Sequence, residues 1–200
     1  MPTLTHYPAF ALSITVFPGH IQGLHVFEPR YRKLLKELRD GTVTRFVIPF
    51  ARSNRWEVYG CEVKLKEVVM DYPNGESDIL VEGVSVVKLK QAYLSNDKAD
   101  YHRVSISRKK FKDLTADKFY LKEFQETMQP LLNEDEDITQ GFNGNIFDLA
   151  TKLRLNEPEK HKFISLKNNT ERKRFLLNLI RIRISLAAQM KGKDDGIIFN

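Results

Sequence analysis

Phe17-Pro18-Gly19-His20-Ile21-Gln22-Gly23-Leu24-His25-Val26-Phe27-Glu28-Pro29-Arg30-Tyr31-Arg32 is the stretch on which the fold turns. Pro18-Gly19 breaks a strand, and the next strand buries Leu24, Val26 or Phe27. Glu28-Pro29 then starts a helix, because proline is tolerated in a first helical turn. Tyr31, Leu34, Leu35 and Leu38 recur at i, i+3, i+4, i+7 before Asp40-Gly41, which predicts a helix lying on a sheet with those four side chains inward. Glu28 and Arg30 are close enough to hold the strand-helix corner by charge-assisted hydrogen bonds.

Around this segment the first half of the chain reads as strands. Ser13 to Phe17, Arg45 to Phe50, Glu57 to Val69, Asp78 to Val81, Val84 to Leu89 and Tyr101 to Ser107 are rich in Val, Ile, Leu and aromatics, with Gly, Pro, Asn and Asp between them. Glu62, Lys64 and Lys66 alternate with Val63, Leu65 and Glu67, so one face is expected buried and the other wet. Asn74-Gly75 signals a tight turn between two runs. Closely spaced strands with one helix among them predict an antiparallel sheet or small barrel.

After about residue 112 the period changes. Leu121, Phe124, Met128 and Leu131 mark a helix bent or ended by Pro130, and Glu134 to Asp137 with Gly141 and Gly144 mark a loop. A second helix begins near Asn145 with Ile146, Leu149, Ala150 and Leu153 on one face, and Glu157-Pro158 opens a third carrying Phe163, Ile164 and Leu166. In the last and longest, Asn168 and Glu171 resemble a capping box. Arg174, Asn178, Arg181, Ser185 and Gln189 form its polar stripe, and the remaining apolar circumference is expected buried, with a frayed polar tail from Lys191 until Ile197 to Phe199. The expected architecture is α+β, a β-rich part over residues 1–112 and a helical part over 113–200, with a hinge between residues 108 and 118.

The 200 residues carry 32 basic and 26 acidic side chains, a net charge of +6, of which +5 falls on residues 1–110. That charge is diffuse and forms no polybasic arm. Cys61 is the single cysteine, which leaves no intramolecular disulfide and fits a cytoplasmic setting. The first residues lack the basic and apolar regions of a signal peptide. Phe175 to Met190 is interrupted by Arg181 and Arg183 and is too short to span a bilayer, so no membrane partner is expected.

Catalytic signatures are missing. No P-loop or glycine-rich dinucleotide motif occurs, and Gly83-Val84-Ser85-Val86-Val87 lacks the second glycine of a nucleophile elbow, so Ser85 is expected on the outer face of a strand. His6, His20, His25, His102 and His161 are scattered without a metal-ligand spacing, and neither a metal nor a cofactor is expected. Cys61 reads as a small buried residue. Arg108-Lys109-Lys110 and Arg172-Lys173-Arg174 read as solvated faces. Trp56 follows Arg52-Ser53-Asn54-Arg55 at an expected hairpin tip, as an exposed anchor or a cover for the sheet edge.

The opening segment, with its Phe-Pro-Gly strand end and Leu-His-Val-Phe-Glu-Pro-Arg-Tyr-Arg, resembles the LON substrate-binding domain family, the N-terminal domain of the ATP-dependent protease Lon. Pro8-Ala9-Phe10-Ala11-Leu12 is similar to the family's opening strand, Tyr59-Gly60-Cys61-Glu62-Val63 to its Val-Gly-x-x-Val, and Val81-Glu82-Gly83-Val84 to its Val-x-Gly hairpin. Leu149-Ala150 through Leu153, Glu159-Lys160-His161 and Arg174 fall in the family's helix order, and the resemblance covers roughly residues 7–187. It implies a PUA-like β-barrel with one helix followed by a C-terminal α-helical bundle, free of the ATPase and Ser-Lys peptidase modules for which 200 residues leave no room. It also implies a non-catalytic module that recognises polypeptide substrates or a protein partner such as a protease. The expected binding surface is Pro18, Gly19, Ile21 and Leu24 with the neighbouring cleft between barrel and helices, extended to His25 and Trp56; Ile21 is its exposed apolar contact. Phe17, Phe27, Glu28, Pro29, Arg30 and Tyr31 are expected to be structural. RNA binding by a PUA-like protein is the alternative, weakened by the absence of clustered Arg and Lys with aromatic platforms. A small hydrolase comes third, for want of a nucleophile-base pair.

Overall fold

The computed structural model describes residues 6–53, 55–111, 114–132 and 144–194, in the order β1(His6–Ala9), β2(Ile21–Val26), α1(Pro29–Arg39), β3(Phe46–Arg52), β4(Arg55–Asp71), β5(Ser77–Tyr93), β6(His102–Arg108), α2(Lys118–Met128), α3(Ile146–Lys152), α4(Glu157–Ser165) and α5(Asn169–Asp194). Two compact units emerge: Met1–Lys110 with Asn156–Ser165, and Phe111–Leu155 with Leu166–Asn200.

The first unit is a mixed sheet with helices α1 and α4. Strands follow in the order β2-β5-β4-β3-β1-β6, antiparallel except for β1 against β3. The 17-residue β5 has two partners on one edge, β2 along Ser77–Glu82 and β6 along Val87–Tyr93. Since β6 also pairs with β1, the succession β5-β4-β3-β1-β6 returns to β5, and β2 stands outside that ring. Phe46 to Phe50 is buried on both faces, which is why it reads as an unbroken apolar run. Asp78 to Val81 and Val84 to Leu89, read as separate strands, are one strand through Gly83.

Ser13 to Phe17 is not a strand. Thr15, Val16 and Phe17 are buried, but only isolated pairings, Leu12 with Phe50 and Pro18 with Gly83, flank the segment. Its apolar pattern therefore records burial without a ladder. Helix α1 starts at Pro29 as expected and buries Tyr31, Leu34 and Leu35, each side chain worth about 1.5–3 kcal/mol of transfer, while Leu38 is only partly covered. Asn74-Gly75 does turn the chain between β4 and β5, with Gly75 at φ +83°.

Glu62, expected on the wet face, is fully buried. It stands opposite Val47 and Ser85 on the central strand, just before a register shift, and its charge is met within the unit rather than by water. Arg108 grips the carboxylate with Nε at 2.7 Å and Nη2 at 2.6 Å, Ser85 Oγ donates at 2.6 Å, and Arg45 reaches it at 3.3 Å. Burial opposes ionisation, yet Arg108 and Ser85 outweigh it and hold Glu62 below the usual carboxylate range. Neither Ser85 nor Arg108 is thus the merely solvated residue expected from sequence.

Helix α4 belongs with the strands although it lies late in the chain. Asn156 and Glu159 form a reciprocal capping box with both bonds at 2.9 Å, and Glu157 accepts the Thr15 N–H at 2.6 Å. At the other end Lys109 donates to the carbonyls of Ile164 at 2.8 Å and Ser165 at 3.1 Å, a cation placed at the negative helix terminus. His161 stacks on Phe50 with centroids 4.4 Å apart.

In the second unit Asp117 caps α2 by accepting the Tyr120 N–H at 2.9 Å, and Pro130 ends that helix in a short 3-10 turn, Gln129–Leu131. Phe124 and Met128 are buried there as expected, with Tyr120 in place of Leu121, and Leu121 and Leu131 only partly covered. Asn145 caps α3 through the Phe147 N–H at 3.0 Å, and Asn168 accepts the Glu171 N–H at 2.8 Å at the start of α5. Arg172 is fully buried over the Phe111 ring, not solvated. Beyond Ile180, Ile182 and Leu186 are exposed, so the apolar circumference of α5 is covered only in its first half. The helix continues through Lys191–Asp194, past the expected fraying point; the acidic run Glu134 to Asp137 and the segment Ile197 to Phe199 lie outside the described residues.

Candidate functional site

The signature segment folds into a clamp around β2. Gly83 accepts the Gly19 N–H at 2.8 Å and donates to the His20 carbonyl at 2.9 Å, and Pro18 bridges the same residue. β2 then runs beside β5 in unbroken register from Ile21 opposite Glu82 to Val26 opposite Ser77. Alternation turns Leu24 and Val26 into the core and leaves Ile21, Gly23 and His25 outward. Leu24 is accordingly buried and is no contact residue, which corrects its assignment to the binding surface.

Phe27 is corrected in the opposite sense: it is 54% exposed and lies against the His25 ring at 5.9 Å instead of entering the core. Ile21 is 42% exposed, as expected. Met70, opposite Asp78 on β4, and Tyr72 add further exposed apolar surface where the β4–β5 hairpin ends. Across from Gly23 sits Leu80, whose Cδ2 would be 3.9 Å from a Cβ at that glycine. The outer face of β2, β5 and β4 thus carries Ile21, Leu80, Phe27 and Met70. Trp56 is elsewhere: opposite Ala51 after the β3–β4 turn, half-buried against the Ala9, Val47, Val87 and Val104 cluster, which favours the cover over the anchor.

Charged groups fix the ends of this face. His25 Nδ1 is 2.7 Å from Asp78, its Nε2 is 3.2 Å from Glu76, and the Tyr72 hydroxyl donates to Asp78 at 2.6 Å. Arg32 donates to the carbonyls of Phe27 at 2.8 Å and Asn74 at 2.9 Å, tying α1 to the strand end and the hairpin turn. Glu28 pairs with Arg30 at 2.6 Å, the contact expected at this corner, and Tyr31 stacks on Phe10. The bonds of His25 to Asp78 and Glu76 and of Arg32 to Asn74 join residues 42 to 53 positions apart in the chain, beyond the reach of local spacing rules.

The hydrogen bond to Asp78, with Glu76 behind it, raises the pKa of His25, whereas burial lowers those of His102 and His161. In a histidine NMR titration, His25 is expected to change protonation above the ordinary 6.5 and the other two below it. A His25 midpoint at or below 6.5 would contradict the ion-pair geometry.

The described residues do not assemble a reaction centre. Ser85 is engaged with Glu62, and burial pushes the Cys61 thiol up to about 12, where it is unreactive. No group of three metal-ligating side chains occurs among the described residues, and no described helix is long and apolar enough to cross a membrane. Many basic side chains are paired internally, including Lys33 with Asp100, Arg39 with Asp71 and Lys64 with Glu82, which takes them out of any continuous cationic track.

The first unit is thus an α+β arrangement with an outward apolar strand face beside a proline-glycine clamp. The model of the ATP-dependent protease La (LON) substrate-binding domain matches residues 6–185, and the chain belongs to that family. The fold is shared with solved structures, among them these two. A Lon N-terminal domain protein from Xanthomonas campestris is 20% identical with a TM-score of 0.66, over 87% of this chain and 98% of that one. The N-terminal domain of a Mycobacterium avium complex Lon protease is 13% identical with a TM-score of 0.58, over 88% of this chain and 98% of that one. No curated protein sequence matches.

Proposed function

We propose that this protein is a non-catalytic module that binds extended polypeptide along the β2 edge and its outer apolar face, as a free client segment or as part of a protein partner such as a protease. In this reading the five closed strands form a PUA-like barrel, α2, α3 and α5 are its helical bundle, and the protein works in the cytoplasm. The observation that carries the proposal is that β2 pairs with β5 on one side and with no described strand on the other. The His20 carbonyl is bonded to Gly83, so the antiparallel alternation aims the backbone of Ile21, Gly23 and His25 at the open edge. The Gln22 amide, which donates to the Gly23 carbonyl at 3.1 Å, agrees with that direction. An added strand takes main-chain hydrogen bonds from this edge, and Ile21, Leu80 and Phe27 receive its side chains.

The test is fluorescence anisotropy with a labelled, permanently unfolded polypeptide. Ile21→Asp is expected to weaken binding about tenfold or more, because a carboxylate replaces an apolar contact, while the circular dichroism spectrum stays that of the wild type. Unchanged affinity in the folded variant would remove the proposed surface. Loss of binding to single-stranded RNA in the same variant, without loss of polypeptide binding, would transfer the face to nucleic acid.

A further inference from the structure

A separate cleft of about 590 Å3 opens in the first unit, between β1, β6 and the loop that follows α1. Its lining brings together Arg45, Arg103 and Arg108 with Tyr7, Tyr101 and Glu37. The residues come from three separate parts of the chain, and no sequence motif links them.

Each of the three guanidinium groups retains unused donors. Arg45 makes one long contact, from Nη1 to Glu62 at 3.3 Å. Arg103 lies over the Tyr101 ring at 4.7 Å and reaches the Tyr101 hydroxyl at 3.3 Å. Arg108 turns Nε and Nη2 toward Glu62 and the Tyr7 hydroxyl. A guanidinium carries five N–H donors in a planar fork, so an edge of each remains for a ligand. The side chains of Arg45 and Arg108 are 45% and 48% exposed.

The charge balance selects the ligand. Three arginines, set against the carboxylates of Glu37 and Glu62, leave +1. That suits a monoanion better than a phosphate monoester, and guanidinium forks match the two oxygens of a carboxylate. The Tyr101 hydroxyl already donates to Glu37, so it orients that carboxylate toward the protein instead of competing for the ligand. Pro8 and Val43 supply an apolar wall beside the cations.

We propose that this cleft binds the C-terminal carboxylate of a polypeptide, with Arg45 and Arg103 as its direct donors and Pro8 and Val43 against the terminal side chain. The inference rests on the polypeptide-binding reading and adds to it a preference for chain ends. Arg108 holds Glu62 and is left out of the test for that reason.

The experiment compares two labelled unstructured peptides, identical except that one ends in a free carboxylate and the other in an amide, on the wild-type chain, Ile21→Asp and the double variant Arg45→Gln/Arg103→Gln. Amidation is expected to weaken binding to the wild type about tenfold, as loss of a charge-assisted pair does. The double variant is expected to keep its circular dichroism spectrum and bind both peptides with the affinity the wild type has for the amide. Ile21→Asp is expected to weaken both peptides while preserving their ratio. Equal affinity of the wild type for the two peptides, or a preference that survives in the double variant, overturns the carboxylate site and leaves the β2 face intact. A preference that persists while Ile21→Asp changes nothing supports the cleft and rejects the face. Inorganic phosphate that competes at lower concentration than acetate would also overturn the assignment, in favour of a phosphate site.

Discussion

Gly83→Ala is expected to destabilise the first unit by about 3–5 kcal/mol, the range reserved for substitutions that force the backbone apart. A Cβ on Gly83 would stand 2.1 Å from the Phe17 carbonyl oxygen and 2.8 Å from its carbon, so a rotamer change cannot relieve the clash. Retreat of the Phe17 segment is blocked as well. Both backbone groups of Gly83 are bonded to residues 19 and 20, and Phe17 accepts the His20 N–H at 3.0 Å, so moving one strand of the clamp breaks several hydrogen bonds. Gly23→Ala is the matched control: its nearest neighbour is the Leu80 side chain at 3.9 Å, and a near-neutral change is expected. Urea unfolding of the two variants would separate them, and a Gly83→Ala midpoint equal to that of Gly23→Ala would disprove the close approach.

Arg108→Ala is the second large effect, about 3 kcal/mol, because it leaves a buried carboxylate with only Ser85 and the distant Arg45. The reverse change is milder. Glu62→Gln removes the charge from the interior, and the half-exposed Arg108 turns its guanidinium to water, so about 1–2 kcal/mol is expected. The pH dependence distinguishes them. Glu62 ionises more readily folded than unfolded, so its contribution is fully present above its ordinary pKa of 4.5 and is lost as pH falls through the lower folded value. Wild-type stability should therefore drop more steeply below about pH 4.5 than that of Glu62→Gln, measured as urea midpoints; parallel curves would show that Glu62 is not charged in the fold.

What was readable in the sequence was local. Pro29 and the Tyr31-Leu34-Leu35 spacing define α1, and Asn74-Gly75, Asn145 and the Asn168-Glu171 pair mark a turn and two helix starts that the structure reproduces. Ile21 was expected exposed as part of the Pro18 to Leu24 segment; the strand alternation that the structure shows there also turns Leu24 inward and Phe27 outside, a parity that a segment of three candidate inward residues left open. Glu62 was out of reach. Its neutralisers are 17, 23 and 46 residues away, and a register shift beside it breaks the period on which face assignment depends. Lys109 and Arg172 mislead for the same reason, since a cation that serves a helix end or an aromatic ring inside the protein has the same local pattern as a solvated one.

The position of α4 has a consequence for the order of biogenesis. The strand unit comprises residues up to Lys110 and then Asn156–Ser165, with 45 residues of the other unit made in between. A nascent chain that has delivered all six strands still lacks the partner of Thr15, the ring that stacks on Phe50 and the carbonyls that receive Lys109. The strand unit therefore cannot be completed as it leaves the ribosome, and it lacks the His161 ring on Phe50 until translation has passed residue 165.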